Sequence, residues 1–174
     1  MEAAPRRLAP IIAVVVALLM CGTGVAQAKK KNHKLSADYK TAPVSVIDEP
    51  TANTVEFSDD AKLVGRPFGN RKAHLTEDTL LTYNSSVIPR SDYSGTQHTT
   101  FKAEYFNGAP GSFRGFYDYT LDANGDVTGP ITGSITGGSG SFRGAKGSFQ
   151  IVDWVVFHPE SAQYKGHWQG SIRY

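Results

Sequence analysis

Glycine and proline interrupt this chain repeatedly from Pro43 to Tyr174, and no long window keeps apolar residues at helical spacing. β-Branched and aromatic residues fill the stretches between the breaks. Short alternating runs bounded by turn residues read as the strands of an all-β sandwich or barrel. They predict strands at Val44–Asp48, Lys62–Phe68, Ala73–Tyr83, His98–Tyr105, Ser112–Leu121, Val127–Ile135, Gly147–Phe157 and Lys165–Tyr174. Asn124-Gly125 predicts a two-residue hairpin turn, whose central positions both need positive φ. Asn107-Gly108 predicts a second hairpin, and Gly137-Gly138-Ser139-Gly140 a looser turn. Antiparallel strands joined in this way form a meander, and eight of them can close on themselves and remove the exposed edges.

The run GSFRG occurs twice, at Gly111–Gly115 and Gly140–Gly144. Each copy follows glycine-rich sequence. The expectation is one device used twice, a turn that opens a strand. Phe113 and Phe142 would then take one face, and Arg114 and Arg143 the other.

The first 28 residues have the layout of a secretory signal: Arg6 and Arg7, an apolar run from Leu8 to Met20, and Ala26-Gln27-Ala28 as a cleavage site. That apolar run is too short to span a membrane. Cleavage would remove Cys21, the only cysteine, and with it any disulfide, catalytic thiol or thiolate metal site. The mature chain would be close to neutral, which argues against a general nucleic-acid binder. Residues 29–42 open with the basic run KKKNHK and read as a flexible segment. Residues 43–174 suit one domain with its own core. Asn84-Ser85-Ser86 is a glycosylation sequon and predicts a surface position.

Three stretches, taken together and in order, resemble the dirigent protein family, which shares the allene oxide cyclase-like barrel. They are Val46-Ile47-Asp48-Glu49-Pro50 with Lys62-Leu63-Val64-Gly65-Arg66, then the glycine-rich signature ITGGSGSFRGAKGSF, then the closing run KGHWQGSIRY. The resemblance implies an eight-stranded antiparallel β-barrel, commonly trimeric, with a pocket at one end. It implies a secreted, extracellular protein of the plant cell wall type. Such a protein binds phenoxy radicals made by a separate oxidase, a laccase or peroxidase, and directs their stereoselective coupling in lignan and phenylpropanoid chemistry. No metal or organic cofactor is implied. The family's pocket aspartate and arginine find no direct match: Pro130 or Ile131 stands where the arginine would lie, and only Asp118 and Asp122 lie near the aspartate's place.

A pocket for aromatic radicals needs apolar walls and a few fixed polar groups. Alternation in FRGFYDYTL puts Phe113, Tyr117 and Tyr119 on one face and Arg114, Phe116 and Asp118 on the other. The candidate catalytic residues are Arg114, Tyr117 and Asp118. The candidate ligand-binding residues are Tyr83, Phe101, Tyr105, Phe116, Tyr119 and Arg143. Two alternatives remain: a cyclase or isomerase in the same barrel, and a non-catalytic wall-glycan or apolar-ligand binder. Exposed Trp154 and Trp168 would favour the binder. The histidines show no metal-ligand spacing, and the hairpin accounts for Asp122, Asn124 and Asp126 better than a calcium loop does.

Overall fold

A computed structural model describes residues 30–42, 46–51, 53–68, 72–87, 89, 91–105, 110–158 and 163–174. The expected signal sequence and the Asn107-Gly108 turn lie outside them. The strands are β1 Asn32–Thr41, β2 Val46–Thr51, β3 Thr54–Arg66, β4 Lys72–Tyr83, β5 Gly95–Tyr105, β6 Gly111–Leu121, β7 Val127–Gly140, β8 Lys146–His158 and β9 Gln163–Arg173. Neighbours from β3 to β9 pair antiparallel in chain order. β9 pairs with β1, and β1 returns to β3, with Ser36 opposite Arg66 and Thr41 opposite Ala61. This closes an eight-stranded antiparallel barrel from β1 and β3–β9. β2 pairs with the other half of the same β3 edge, from Val46 opposite Ser58 to Asp48 opposite Glu56. The long β3 thus serves two partners in succession.

The segment expected to be flexible is mostly strand β1. Its period-two pattern places Leu35, Ala37 and Tyr39 in the core at 0–2% exposure, while Lys34, Asp38 and Lys40 face outward. Of the basic run that suggested a solvated tail, Lys34 lies on this outer face, and Lys30 and Lys31 lead into the strand. β3 also starts earlier than the predicted Lys62–Phe68, and it carries acidic Asp59 on its inward face between Val55 and Leu63.

Two turns differ from expectation. Asp122 and Asp126 bracket a three-residue loop with a left-handed Gly125 (φ 84°), and no positive φ occurs at Asn124. The Asp122 Oδ1 accepts the backbone N–H groups of Asn124 and Asp126 at 2.8 and 3.0 Å. This is the hairpin class that follows a type I turn with an αL residue. The Gly137–Gly140 stretch is strand, and the turn comes later, at Ser141–Gly144.

The two GSFRG copies are therefore not equivalent. The first opens β6, as expected. The second is itself the β7–β8 turn. Their leading glycines, Gly111 and Gly140, pair across β6 and β7. Phe113 and Phe142 are both fully buried and meet edge to face at 5.3 Å, while Arg114 and Arg143 are exposed.

These two rings belong to an aromatic plug at one end of the barrel, here called the base. Phe68 stacks on Phe113 at 5.6 Å, and Tyr174 meets Phe142 at 4.7 Å. Deeper in, Phe149 lies flat on Trp168 at 4.0 Å, and Phe101 meets Trp168 edge-on at 4.9 Å. The Phe149 ring has room because its cross-strand partner is Gly133, where a Cβ would come within 2.3 Å of it. Truncating a buried Phe costs about 3–5 kcal/mol. Phe142→Ala should therefore lower unfolding free energy by about that amount, whereas Arg143→Ala, one residue on, should leave the urea midpoint unchanged; denaturation followed by tryptophan fluorescence reads both.

Candidate functional site

The other end of the barrel, the mouth, is hollow. A cavity of about 1050 Å³ lies there, the size of a site for a small organic molecule. Leu81, Leu121, Ile131 and Ile151 form its aliphatic walls, and Tyr83, Tyr93, Tyr119, Trp154 and Tyr164 its aromatic ones. It opens past the exposed Asn124–Asp126 loop. The β4–β5 connection is tied to that loop by the Tyr93 N–H, which donates to the Ala123 carbonyl at 3.0 Å. Asn84 is exposed on the same connection, and its side chain donates to Ser94 Oγ at 3.0 Å.

Trp154 reaches the cavity through a break in strand alternation. Phe149 and Ile151 point inward, so strict alternation would turn Asp153 in and Trp154 out. Between Val152 and Val155 the register with β9 shifts, and Asp153 takes φ 54°. A bulge of this kind re-aims a side chain, and strained backbone of this kind concentrates at functional sites. Trp154 consequently stacks on Tyr164 at 5.0 Å and lies 5.7 Å from Tyr119 and 6.0 Å from Tyr39.

One ring below the cavity sits a polar cluster. Glu77 is fully buried. Its Oε2 accepts the Tyr39 hydroxyl at 2.6 Å, and its Oε1 accepts the Tyr117 hydroxyl at 3.1 Å. Tyr117 in turn stacks on Tyr119 of the cavity wall. Thr79 and Thr99 share a hydrogen bond at 2.9 Å, and Gln97 donates to Thr99 at 3.3 Å. Burial, then the Asp59 charge, pushes Glu77 up to about 8, against the pull of the two tyrosine hydroxyls. Burial, then the charges of Asp60 and Asp78, pushes Asp59 up to about 7. Desolvation outweighs hydrogen bonding here because both carboxyls lie in the barrel interior. Burial likewise raises Tyr39, Tyr117 and Tyr119. At neutral pH Glu77 is therefore mainly the neutral acid, able to donate a proton or a hydrogen bond, while Asp59 stands between its two forms.

The structure separates the residues nominated from sequence. Tyr83 and Tyr119 line the cavity, and Tyr117 belongs to the polar cluster beneath it. Phe101 and Tyr105 lie in or beside the base plug. Arg114 and Asp118 are exposed on the outer surface with half-buried Phe116, so the supposed charged pocket wall is the solvent side of β6. Asp118 binds His98 there at 2.6 Å. Arg143 is exposed on the base turn, at the opposite end from the cavity. Trp168 is fully buried and Trp154 faces inward, so neither offers an exposed glycan platform. Sequence reasoning missed Glu77, Asp59, Tyr39, Gln97 and Tyr164. A signal existed for two of them: alternation in Leu75, Glu77, Thr79, Leu81 and in Val55, Asp59, Ala61, Leu63 puts a carboxyl on each apolar face.

A closed antiparallel barrel, plugged with aromatic rings at its base and hollow at its mouth, is a dirigent-like fold. The pterocarpan synthase dirigent protein GePTS1 has a solved structure that matches with a TM-score of 0.56 over 88% of this chain and 94% of that chain, at 14% identity. No protein-family model matches the sequence. No curated protein matches it either.

The raised carboxyls have a thermodynamic signature. Between about pH 4.5 and about 8, native Glu77 holds a proton that its unfolded counterpart has released. Its contribution to stability is thus complete at acid pH and lost as pH rises through that window, by up to ~1.4 kcal/mol per pH unit. Glu77→Gln should remove this slope: the stability difference between variant and wild type should move in the variant's favour from pH 5 to pH 8, as read by urea denaturation at each pH.

Proposed function

We propose that this protein binds a small phenolic ligand in the mouth cavity and fixes the geometry in which it reacts. The observation that carries this reading is the wall of tyrosine and tryptophan rings around a cavity of ligand size, held on a rigid base. Aromatic rings stack on a phenolic ring in offset or edge-on arrangements, and two ligands so held would present defined faces to each other. A separate oxidase, a laccase or peroxidase, would supply phenoxy radicals, and the barrel would direct stereoselective coupling of the lignan type without oxidising them. A secreted, homo-oligomeric protein fits that work. The dirigent-like fold supports this reading, as does the name of its structural neighbour, a pterocarpan synthase.

The acids at Glu77 and Asp59 favour a second reading, a proton-assisted ring closure or isomerisation of a phenolic or unsaturated ligand. The two differ in whether an oxidase is needed. Coniferyl alcohol oxidised by a laccase should give an enantiomeric excess in the presence of the protein, without faster oxidation, as read by chiral chromatography. Trp154→Ala should return the products to a racemate. Racemic products with the wild type would overturn the coupling role, and turnover of a ligand without any oxidase would establish the second reading instead.

A further inference from the structure

The basic run that opens the described chain leads into β1, and the barrel sets its Lys34 beside two other basic positions. On the outer face, Lys146 of β8 lies directly opposite Arg173 of β9. Lys34 of β1 sits one row further along, opposite Ser171. All three cations are exposed, and among the described residues no carboxylate pairs with them. β9 carries no acidic residue. Among the acids of the other two strands, Asp38 on β1 binds His167 at 2.9 Å, and Asp153 lies at the far bulge of β8. Like charges directly opposite on a sheet cost stability, so the fold maintains the Lys146–Arg173 pair against its own interest. Lys30 extends the same end, its Nζ donating to the Gly144 carbonyl at 2.8 Å.

Beyond the cations the next rows of β8 and β9 are neutral and polar. Ser148 lies opposite Ser171, and Gln150 opposite Gln169, all exposed. A shallow groove of about 630 Å³ runs from Gln169, Gln150 and Ser148 across Thr132 and Ser134 of β7 to Asp118 of β6, whose carboxylate is held by His98. Cations at one end and a ladder of hydroxyls and amides behind them suit a ligand that alternates carboxylates with hydroxyls. We propose that this face binds an acidic polysaccharide built of uronic acid units. The cations take sugar carboxylates, and the Ser and Gln side chains, each donor and acceptor, take ring hydroxyls. A phosphate backbone would favour further cations where this face turns neutral. Among the described residues the exposed large apolar side chains, Val64, Leu80, Val87, Tyr93 and Val155, lie away from these rows, so the rows themselves offer a membrane surface no large apolar group to bury.

The test is calorimetric titration of the full chain with a short oligogalacturonate at low salt, its methyl-esterified neutral form, and single-stranded DNA of equal charge. The acidic oligomer should bind, and the neutral form at least about tenfold more weakly. The double variant K146Q/R173Q should weaken binding by about tenfold or more, with a melting temperature at or above that of the wild type. Ser171→Ala with Gln169→Ala should weaken it several-fold, and Trp154→Ala should leave it unchanged. Absence of wild-type binding would overturn the proposal, as would a K146Q/R173Q affinity within about twofold of wild type. DNA binding as tightly as the oligogalacturonate would also overturn it, by showing a general polyanion surface.

Discussion

The pairing of β1 with β3 is the contact on which the rest depends. Without it the sheet is an open strip with two free edges, and its inner face is half in water. With it the ring is complete, and every second residue of eight strands is committed to one interior. That commitment gives Glu77 and Asp59 their character. On an open sheet each would be a solvated carboxylate. Inside the ring, burial raises both, Asp59 to about 7 and Glu77 to about 8. The chemistry available at the mouth is thus a consequence of closure between Asn32–Thr41 and the second half of β3.

Much of the barrel was legible in the sequence, because period-two alternation and turn residues are local signals. The strands from β4 to β9 and the shared face of Phe113, Tyr117 and Tyr119 follow from them. What alternation cannot say is which of two faces becomes the inside. Arg114 and Asp118 suggested a pocket because charged residues near aromatic ones look like chemistry, yet the ring closes with them outside. β1 was hidden for a related reason: polar and charged residues, Asn32, Lys34, Ser36, Asp38 and Lys40, fill its outward positions, while Leu35, Ala37 and Tyr39 between them carry the fold. Trp154 was illegible in a stricter sense. One added residue at the β8 bulge reverses its face, and the sequence around Asp153 carries no glycine to announce a positive φ.

The alternation that hides one face also keeps two chemistries apart. Inward residues of β8 and β9 include Phe149, Ile151, Trp168 and Ile172, all buried apolar groups. Their outward neighbours are Lys146, Ser148, Gln150, Gln169, Ser171 and Arg173, exposed and polar. A change on one side barely disturbs the other, so an outer surface can bind one partner while the interior serves another.

Aromatic type is distributed along the barrel axis in a way that fixes where the site must be. The base is mainly phenylalanine: Phe68, Phe101, Phe113, Phe142 and Phe149 pack to 0–4% exposure with no polar atom to satisfy. The mouth is mainly tyrosine: Tyr83, Tyr93, Tyr119 and Tyr164 line the cavity. A tyrosine offers an apolar ring and a polar tip, so it tolerates a boundary between protein and water where a phenylalanine would gain less. Tyr105 and Tyr174, at the half-buried margin of the plug, obey the same rule at the other boundary. Dense packing at the base holds the strands, and through them the mouth rings, in fixed relation. The strained bulge at Asp153 then adds the one large ring, Trp154, that regular strand geometry would have turned away from the cavity.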